Sequence, residues 1–362
     1  MVETPETATR KRLLIAASGT GGHLFPAIAT AENLAEYDIE WLGVPDRLET
    51  SLVPQRYPLH TVNVTGIQKP LGVGTVRITG QFLRAILIVR RLLRQGQFGG
   101  VFTTGGYIAA PAILAARSLG LPTILHESNA LPGKVTRWLS PWCSTVAVGF
   151  EAANSYLPRA KSVCVGTPVR PQFREHPAQA LKDLAIPDEV PLIVVVGGSQ
   201  GAVAVNQLVR ACAAAWIEAG AWIVHLTGDR DPDANSFSDP HYIHLPFYDD
   251  MAALLHRATL VVSRAGAGTL TELAMTRTPS ILIPYPFAAE DHQTYNAAIF
   301  AAAGAAQVYR QANLTADLLQ EKVLKLLDSP ERLNEMAIAT GNLAIADSAE
   351  QLAALIKSLL GS

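Results

Sequence analysis

A chain of 362 residues, 49% of them apolar, has the material for two α/β domains of ordinary size, each with its own core. Its apolar runs fall well short of the ~18–20 residues of a membrane span, and Cys143, Cys164 and Cys212 are too few and too scattered for a disulfide framework or a zinc site. The net charge of −2 hides an asymmetry: residues 1–167 carry 16 Lys/Arg against 10 Asp/Glu, and the remainder carries 13 against 21.

The chain opens with a polar extension, residues 1–10, expected to be disordered. Arg10-Lys11-Arg12 precede Leu13–Ala17, an apolar stretch shorter than the ~7–15 residues of a secretory core and better read as a first strand of a cytosolic protein. Strands are predicted over 12–17, 39–43, 59–64, 99–103, 122–126, 145–148 and 162–165 in the first half. In the second half they are predicted over 191–197, 221–227, 241–245, 259–263 and 280–283. Helices fill the gaps, over Pro26–Glu36, Gln81–Gln95, Pro111–Leu119, Val203–Glu218, Met251–Arg257, Leu270–Thr276 and Gln293–Ala303. This alternation implies α/β architecture with two Rossmann-like parallel-sheet domains. Gly166-Thr167-Pro168-Val169-Arg170-Pro171 reads as the linker, which gives domains of 11–167 and 168–344. A helix-rich tail follows Pro330, and its end, about 345–362, is expected to pack back on the first domain.

Four of the strands run into glycine-rich loops with a helix next. The loops are Gly19-Thr20-Gly21-Gly22-His23, Gly105-Gly106-Tyr107, Gly197-Gly198-Ser199-Gln200-Gly201 and Ala265-Gly266-Ala267-Gly268-Thr269. Glycine admits a ligand close to backbone amides, and a helix start presents unpaired N–H groups with partial positive charge, a combination that holds phosphate. Two such loops in each half suggest domains facing each other across a cleft, with a diphosphate compound as the occupant. The first loop is a poor dinucleotide fingerprint, because Leu24 stands at the third glycine position, and no loop has the Lys-Ser/Thr of a P-loop. Asp229-Arg230-Asp231 mimics a metal-binding D-x-D but reads better as a solvated turn, and no cluster has metal spacing.

Several residues admit two readings. His23 suits a base or phosphate partner, or a structural helix start. His126-Glu127-Ser128-Asn129 is a polar cluster at a strand's carboxyl end or a plain turn. Thr269 and Glu272 fit a capping box, or Glu272 accepts from ribose hydroxyls. Asp291 suits an N-cap, and Gln293 and Asn296 suit either sugar hydroxyls or an exposed helix face.

The order of the motifs is more specific than any one of them. GTGGHLFPA (19–27), TTGGYIAAP (103–111), HESNALPGK (126–134), GTPVR (166–170), GGSQGA (197–202), FYDDMA (247–252), SRAGAGTLTEL (263–273) and EDHQTYNA (290–297) resemble, in order, the motifs of the MurG family over roughly residues 12–357. The resemblance implies a GT-B fold and an inverting, metal-independent transfer without a cofactor. GlcNAc would pass from UDP-GlcNAc to the C4 hydroxyl of MurNAc in undecaprenyl-diphospho-MurNAc-pentapeptide, converting lipid I to lipid II in peptidoglycan synthesis. It further implies a peripheral protein on the cytoplasmic side of the inner membrane, with an anionic membrane surface and other cell-wall synthesis proteins as partners, and no nucleic acid.

Carried over position by position, Thr20, Gly21, Gly22, Asn129, Arg170, Ser199, Tyr248, Ala267, Gly268, Thr269, Glu272 and Gln293 would line the UDP-GlcNAc site, Tyr248 through its backbone. Ser128, Thr167 and Gly268 depart from the family pattern. The general base is His23 or, second, Glu127. A membrane glycolipid transferase and a non-enzymatic sugar-nucleotide binder are the rival readings, and a nicotinamide enzyme is a distant third. Between Glu49 and Glu127 the chain has no acid, whereas Arg56, Lys69, Arg77, Arg84, Arg90, Arg91, Arg94 and Arg117 lie there. On the helix over Gln81–Gln95, Leu83, Arg84, Leu87, Arg90, Arg91 and Arg94 share one face expected to meet the membrane. Phe82, Ala85, Ile86, Val89 and Leu93 form the opposite, inward face.

Overall fold

In the computed structural model, which describes residues 10–53, 57–64, 73–175, 181, 183–198 and 201–361, every named strand pairs in parallel. Arg56, Lys69, Ser199, Gln200 and the N-terminal extension through residue 9 lie outside the described residues, as does the side chain of Arg77.

The first half runs β1 (Arg12–Ala16), α1 (Gly21–Ala31), β2 (Asp38–Gly43), α2 (Glu49–Leu52), β3 (Leu59–Thr61), α3 (Val73–Gln95), β4 (Gly100–Thr103), α4 (Ala109–Ser118), β5 (Thr123–Glu127), α5 (Lys134–Leu139), β6 (Thr145–Val148) and β7 (Ser162–Cys164). The second runs β8 (Leu192–Val196), α6 (Val203–Glu218), β9 (Trp222–Leu226), β10 (Tyr242–Leu245), α7 (Met251–Arg257), β11 (Leu260–Ser263), α8 (Ala267–Thr276), β12 (Ser280–Leu282), α9 (His292–Ala302), β13 (Ala306–Val308), α10 (Ala316–Leu327), α11 (Pro330–Gly341) and α12 (Ser348–Leu360). The first sheet has the order β3-β2-β1-β4-β5-β6-β7 and the second β10-β9-β8-β11-β12-β13. Both orders reverse beside their first strand, at β1/β4 and at β8/β11, where open parallel sheets bind ligands at the carboxyl ends of the strands. All four glycine loops leave those four strands.

Contacts divide the chain into one unit of Met1–Ser128, Pro132–Pro168 and Asp347–Ser362, and another of Asn129–Leu131 and Val169–Ala346. In the first unit, Leu13, Ile15, Leu24, Ala27, Trp41 and Phe102 pack with Leu352, Ala353 and Ile356 of α12. On the other face of that sheet, Ala85, Val89 and Leu93, four residues apart along α3, pack with Leu14, Leu42 and Val101. The second unit packs Ile193, Val195, Val209, Trp216 and Val262 with Leu319, Val323 and Met336 of the two helices that follow its sheet.

Three predicted helix starts need correction, and one strand was not predicted. The first helix starts at Gly21 and not at Pro26, because the amides of His23 and Leu24 already bond to the Thr20 carbonyl, at 3.0 and 3.2 Å, leaving Pro26 inside α1. α3 begins at Val73, eight residues before Gln81; Gly74 and Gly80 depress helix propensity there and mask the signal. α8 begins at Ala267 and not at Leu270, because Gly266 is its N-cap and the amide of Leu270 already bonds to the Gly266 carbonyl at 3.0 Å. β13, three residues on the sheet edge, has too short an apolar pattern to be read at all.

Candidate active site

At the β1/β4 switch point, Thr20 ends its extended N-cap conformation and the helix opens with the amides of Gly21 and Gly22, ahead of the first intrahelical bond. His23 follows in the same turn. Its Nδ1 lies 2.7 Å from the carbonyl of Thr104, in the loop after β4. A carbonyl only accepts, so Nδ1 is the donor, and in the neutral ring the lone pair lies on Nε2. The Thr104 hydroxyl returns a bond to the His23 carbonyl at 2.9 Å. Gly105 and Gly106, at φ +93° and +74°, run beneath the ring, where a methyl group on Gly106 would stand 3.6 Å from Nε2. Both glycines therefore combine left-handed backbone with a close approach to the imidazole.

Glu49, on α2, has a role the sequence reading missed. It is fully buried, and its carboxylate accepts from the amides of Gly19, at 3.2 Å, and Val44, at 2.7 Å. A carboxylate therefore backs the first glycine loop. Glu127, at the end of β5, is also buried, and its Oε2 accepts from the Gly133 amide at 3.0 Å and the Thr136 hydroxyl at 2.7 Å. His126 donates through Nε2 to the Gly166 carbonyl at 2.9 Å, and burial pushes its pKa down, so it stays neutral.

In the second unit, Gly266 is the N-cap of α8, so Ala267, Gly268 and Thr269 form its first turn and their amides are the unpaired donors of a helix start. This removes the capping-box reading: Thr269 and Glu272 both lie inside the helix. The Glu272 carboxylate, 17% exposed, stands 3.5 Å from Arg170, whose guanidinium also lies 5.0 Å over the ring of Phe173. Burial pushes the Glu272 carboxyl up to about 7 against the opposing pull of Arg170.

Two amides on α9 are structural clamps and not exposed helix residues. Gln293 Oε1 accepts from the amides of Ala265 at 3.1 Å and Tyr285 at 2.9 Å. Asn296, fully buried, accepts from the Ala130 amide at 2.8 Å and donates to Asn129 Oδ1 at 3.1 Å and the Ala265 carbonyl at 3.2 Å. Ala265 is thus held at both its N–H and its C=O. Asp291 is the N-cap of α9 without a capping bond, and accepts from the Thr294 hydroxyl at 2.6 Å.

Arg264 was missed as well. Its buried guanidinium donates to the carbonyls of Ile283 and Pro284 and to Gln311, at 3.1, 3.3 and 2.7 Å, tying the β11 loop to the β12 loop. A cation placed directly after an apolar strand is the signal that pointed to it. Asn129, Arg170, Ala267, Gly268, Thr269, Glu272 and Gln293 all fall within the second unit, and Thr20, Gly21, Gly22, His23 and Glu127 within the first. Tyr248 is engaged elsewhere, its hydroxyl 2.9 and 3.0 Å from the two oxygens of Asp183.

Asp231 is not part of a solvated turn: its side chain is fully buried and paired with Arg210 at 2.6 Å. Among the described residues no group of His, Cys, Asp or Glu is arranged to hold a metal. On α3, Leu83 and Leu87 are 55% and 65% exposed, with Arg84, Arg91 and Arg94 also exposed, while Arg90 turns its Nε to Ser118 on α4 at 3.0 Å.

Two switch-point sheets with glycine loops in place of a dinucleotide fingerprint define the GT-B type architecture, and the family models make it that of a glycosyltransferase. Residues 13–148 match the glycosyltransferase family 28 N-terminal domain and residues 192–352 its C-terminal domain. A UDP-N-acetylglucosamine--N-acetylmuramyl-(pentapeptide) pyrophosphoryl-undecaprenol N-acetylglucosamine transferase from Nostoc punctiforme is 64% identical over 349 residues, covering 96% of this chain and 98% of that protein. The protein of the same name from Gloeothece citriformis is 63% identical, covering 97% of each. The crystal structure of Acinetobacter baumannii MurG is 30% identical, with a TM-score of 0.78 over 96% of this chain and 99% of that one. The chain belongs to glycosyltransferase family 28 and, within it, to the MurG family.

Proposed function

We propose that this protein transfers GlcNAc from UDP-GlcNAc to the C4 hydroxyl of MurNAc in undecaprenyl-diphospho-MurNAc-pentapeptide, with inversion and without a metal. The observation that carries this reading is the 64% identity, over nearly the whole chain, to a transferase named for that reaction. His23 is taken as the base because its Nδ1 donates to the Thr104 carbonyl and leaves Nε2 for the acceptor. Nε2 takes the proton of the acceptor hydroxyl as the new O4–C1 bond forms. The C1–phosphate bond breaks with its electron pair leaving on UDP. Glu127 is less suited to this role because Oε2 already accepts two hydrogen bonds.

The leaving diphosphate meets the first-turn amides of α8, with Ser199 and Arg170 assisting, so fixed dipoles do what a metal does elsewhere. Thr20, Gly21, Gly22 and Asn129 are further donor contacts in this reading. Glu272 accepts from the ribose hydroxyls, which suits a carboxylate aimed away from the phosphates. Tyr248 reads uracil through its backbone. Because the Gln293 carbonyl is spent on Ala265 and Tyr285, its NH₂ is the group left for sugar hydroxyls. The leucine–arginine face of α3 rests on the cytoplasmic side of the inner membrane, where the polyprenyl acceptor resides. No helix among the described residues is long and apolar enough to cross it.

The deciding assay uses UDP-GlcNAc and a short-chain lipid I analogue, with and without EDTA, for wild type and His23→Ala. The expected result is EDTA-insensitive turnover that falls ~10²–10⁴-fold in the variant with UDP affinity retained. Near-normal turnover by His23→Ala would transfer the base role to Glu127. Turnover with diacylglycerol in place of lipid I would favour the glycolipid reading.

A further inference from the structure

Beside the loop Gly197–Ala202, the second unit buries a chain of polar side chains with a single direction. Tyr242 donates its hydroxyl to His225 Nδ1 at 2.7 Å. Burial pushes His225 down to about 3, so the ring is neutral, accepting at one nitrogen and donating at the other. The donor is Nε2, 3.0 Å from Asn206 Oδ1. Asn206 Nδ2 then donates to the Thr227 carbonyl at 2.9 Å and to Asp231 Oδ2 at 2.7 Å. Asp231 also accepts from Arg210 at 2.6 and 3.3 Å and from the Asp233 amide at 3.1 Å. Asn206 and His225 are fully buried, and so is the Asp231 side chain.

Every hydrogen in this relay has one acceptor, so its polarity is forced. Flipping the Asn206 amide would set its NH₂ against the His225 donor and its carbonyl against Thr227 and Asp231. An apolar set of the same volume would hold the surrounding core at no less stability. A fully satisfied polar relay, by contrast, admits one arrangement of the segments it joins.

We propose that this relay positions the described end of the donor-phosphate loop, Gly201 and Ala202, with Asn206 as its central positioning residue. The proposal rests on the reading of Gly197–Ala202 as a donor diphosphate loop. Asn206 lies one turn into α6, and its own amide bonds to the Ala202 carbonyl at 2.9 Å, which ties it to the loop's last residue. Its side chain reaches the Thr227 carbonyl, the atom a methyl group on Gly201 would strike. One amide thus sets both the start of α6 and the carbonyl on which Gly201 rests. Gly201 can cross Thr227–Gly228 only without a side chain, so the last two residues of the loop are fixed against that carbonyl.

The test measures KM for UDP-GlcNAc and for a lipid I analogue, kcat and melting temperature in wild type, Asn206→Asp, Asp231→Asn and the double variant. Asn206→Asp sets two carboxylates together, and Asp231→Asn turns an NH₂ towards a donor, either Asn206 or Arg210 and the Asp233 amide. The double variant restores one donor–acceptor pair at the same place. Each single variant is expected to raise the donor KM about tenfold, equivalent to losing one charge-assisted bond, with acceptor KM within twofold. The double variant should recover part of that loss. Should the single variants not fold, Tyr242→Phe, at the far end of the relay, is expected to raise donor KM two- to threefold. A lowered melting temperature with unchanged donor KM, or equal changes in both KM values, overturns the proposal. Absence of UDP-GlcNAc turnover in the wild type would instead refute the functional reading itself, and the positioning role with it.

Discussion

Glu272 concentrates the conflict between burial and function. Its carboxyl is pushed up to about 7 by burial, above the ordinary carboxyl range. The folded state therefore binds a proton that the unfolded state has released, and this contribution to stability is complete at acid pH and lost as pH rises towards 7. In the proposed ribose role donor binding has the opposite sign, because ribose hydroxyls favour the ionised acceptor. UDP-GlcNAc affinity is expected to weaken up to about tenfold per pH unit below 7, with proton release on binding near neutrality. Calorimetry in buffers of different ionisation heat reads this directly, and Glu272→Gln should remove both effects; flat affinity and no released proton in the wild type would count against the ribose role. Glu49 offers a second test. Its two oxygens serve two backbone amides, and glutamine would turn an NH₂ towards one of them. Glu49→Gln should cost ~1–3 kcal/mol in a denaturation titration, whereas a cost within error would show that water replaces the lost bond. Neither Glu49 nor Thr104 was legible in sequence as a partner of the first loop, since each reaches it across tens of residues. His23 was legible as a candidate, but its tautomer needed a carbonyl 81 positions away.

At the level of single elements, α3 shows how much a periodic pattern reveals. Of the inward set, Ala85, Val89 and Leu93 are buried as the 3.6-residue period predicts and Phe82 and Ile86 are half-buried, while Leu83, Arg84, Leu87, Arg91 and Arg94 are exposed. Ile88, at 45% exposure, joins the outer face although it had been assigned to neither. Leucines and arginines interleaved on one face suit acyl chains and anionic headgroups, each arginine contributing ~1 kcal/mol at such a surface. Reversing charge at Arg84, Arg91 and Arg94 should abolish sedimentation with anionic vesicles and leave UDP-GlcNAc affinity intact; equal sedimentation of variant and wild type would refute the membrane role. Arg90 is left out because it is tied to Ser118. Strands were legible in the same way, as apolar runs of four to six residues bounded by glycine or proline. Helix starts were less so: Pro26 and Thr269 look like initiators, yet the real starts are set by Thr20 and Gly266, residues whose backbone and not whose side chain begins the helix. Asp231 misled for a related reason, since its polar neighbours in sequence gave no sign of Arg210 on α6.

Across the whole molecule, the second unit takes nearly all of its residues from one continuous stretch, Val169–Ala346, whereas the first is closed by the last residues of the chain. Leu352, Ala353 and Ile356 of α12 are buried against Leu24, Ala27 and Ala31, Tyr37 donates its hydroxyl to the Gly361 carbonyl at 2.7 Å, and Lys357 pairs with Glu36 at 2.7 Å. Burying one such Leu or Ile side chain contributes ~1.5–3 kcal/mol, so removing the helix strips a large share of a domain's stability. Deleting residues from Ser348 onward should lower the melting of the first unit by tens of degrees and leave the second unit's transition in place; a single undisturbed transition would argue that α12 is dispensable. For a chain emerging from the ribosome the order of events is then reversed relative to its sequence. The amino-terminal half, made first, must wait with Leu24, Ala27 and Ala31 uncovered until Ser348–Leu360 has been made, while the half made later can already close. A chain cut off before Ser348 would leave the second sheet whole and the first one open.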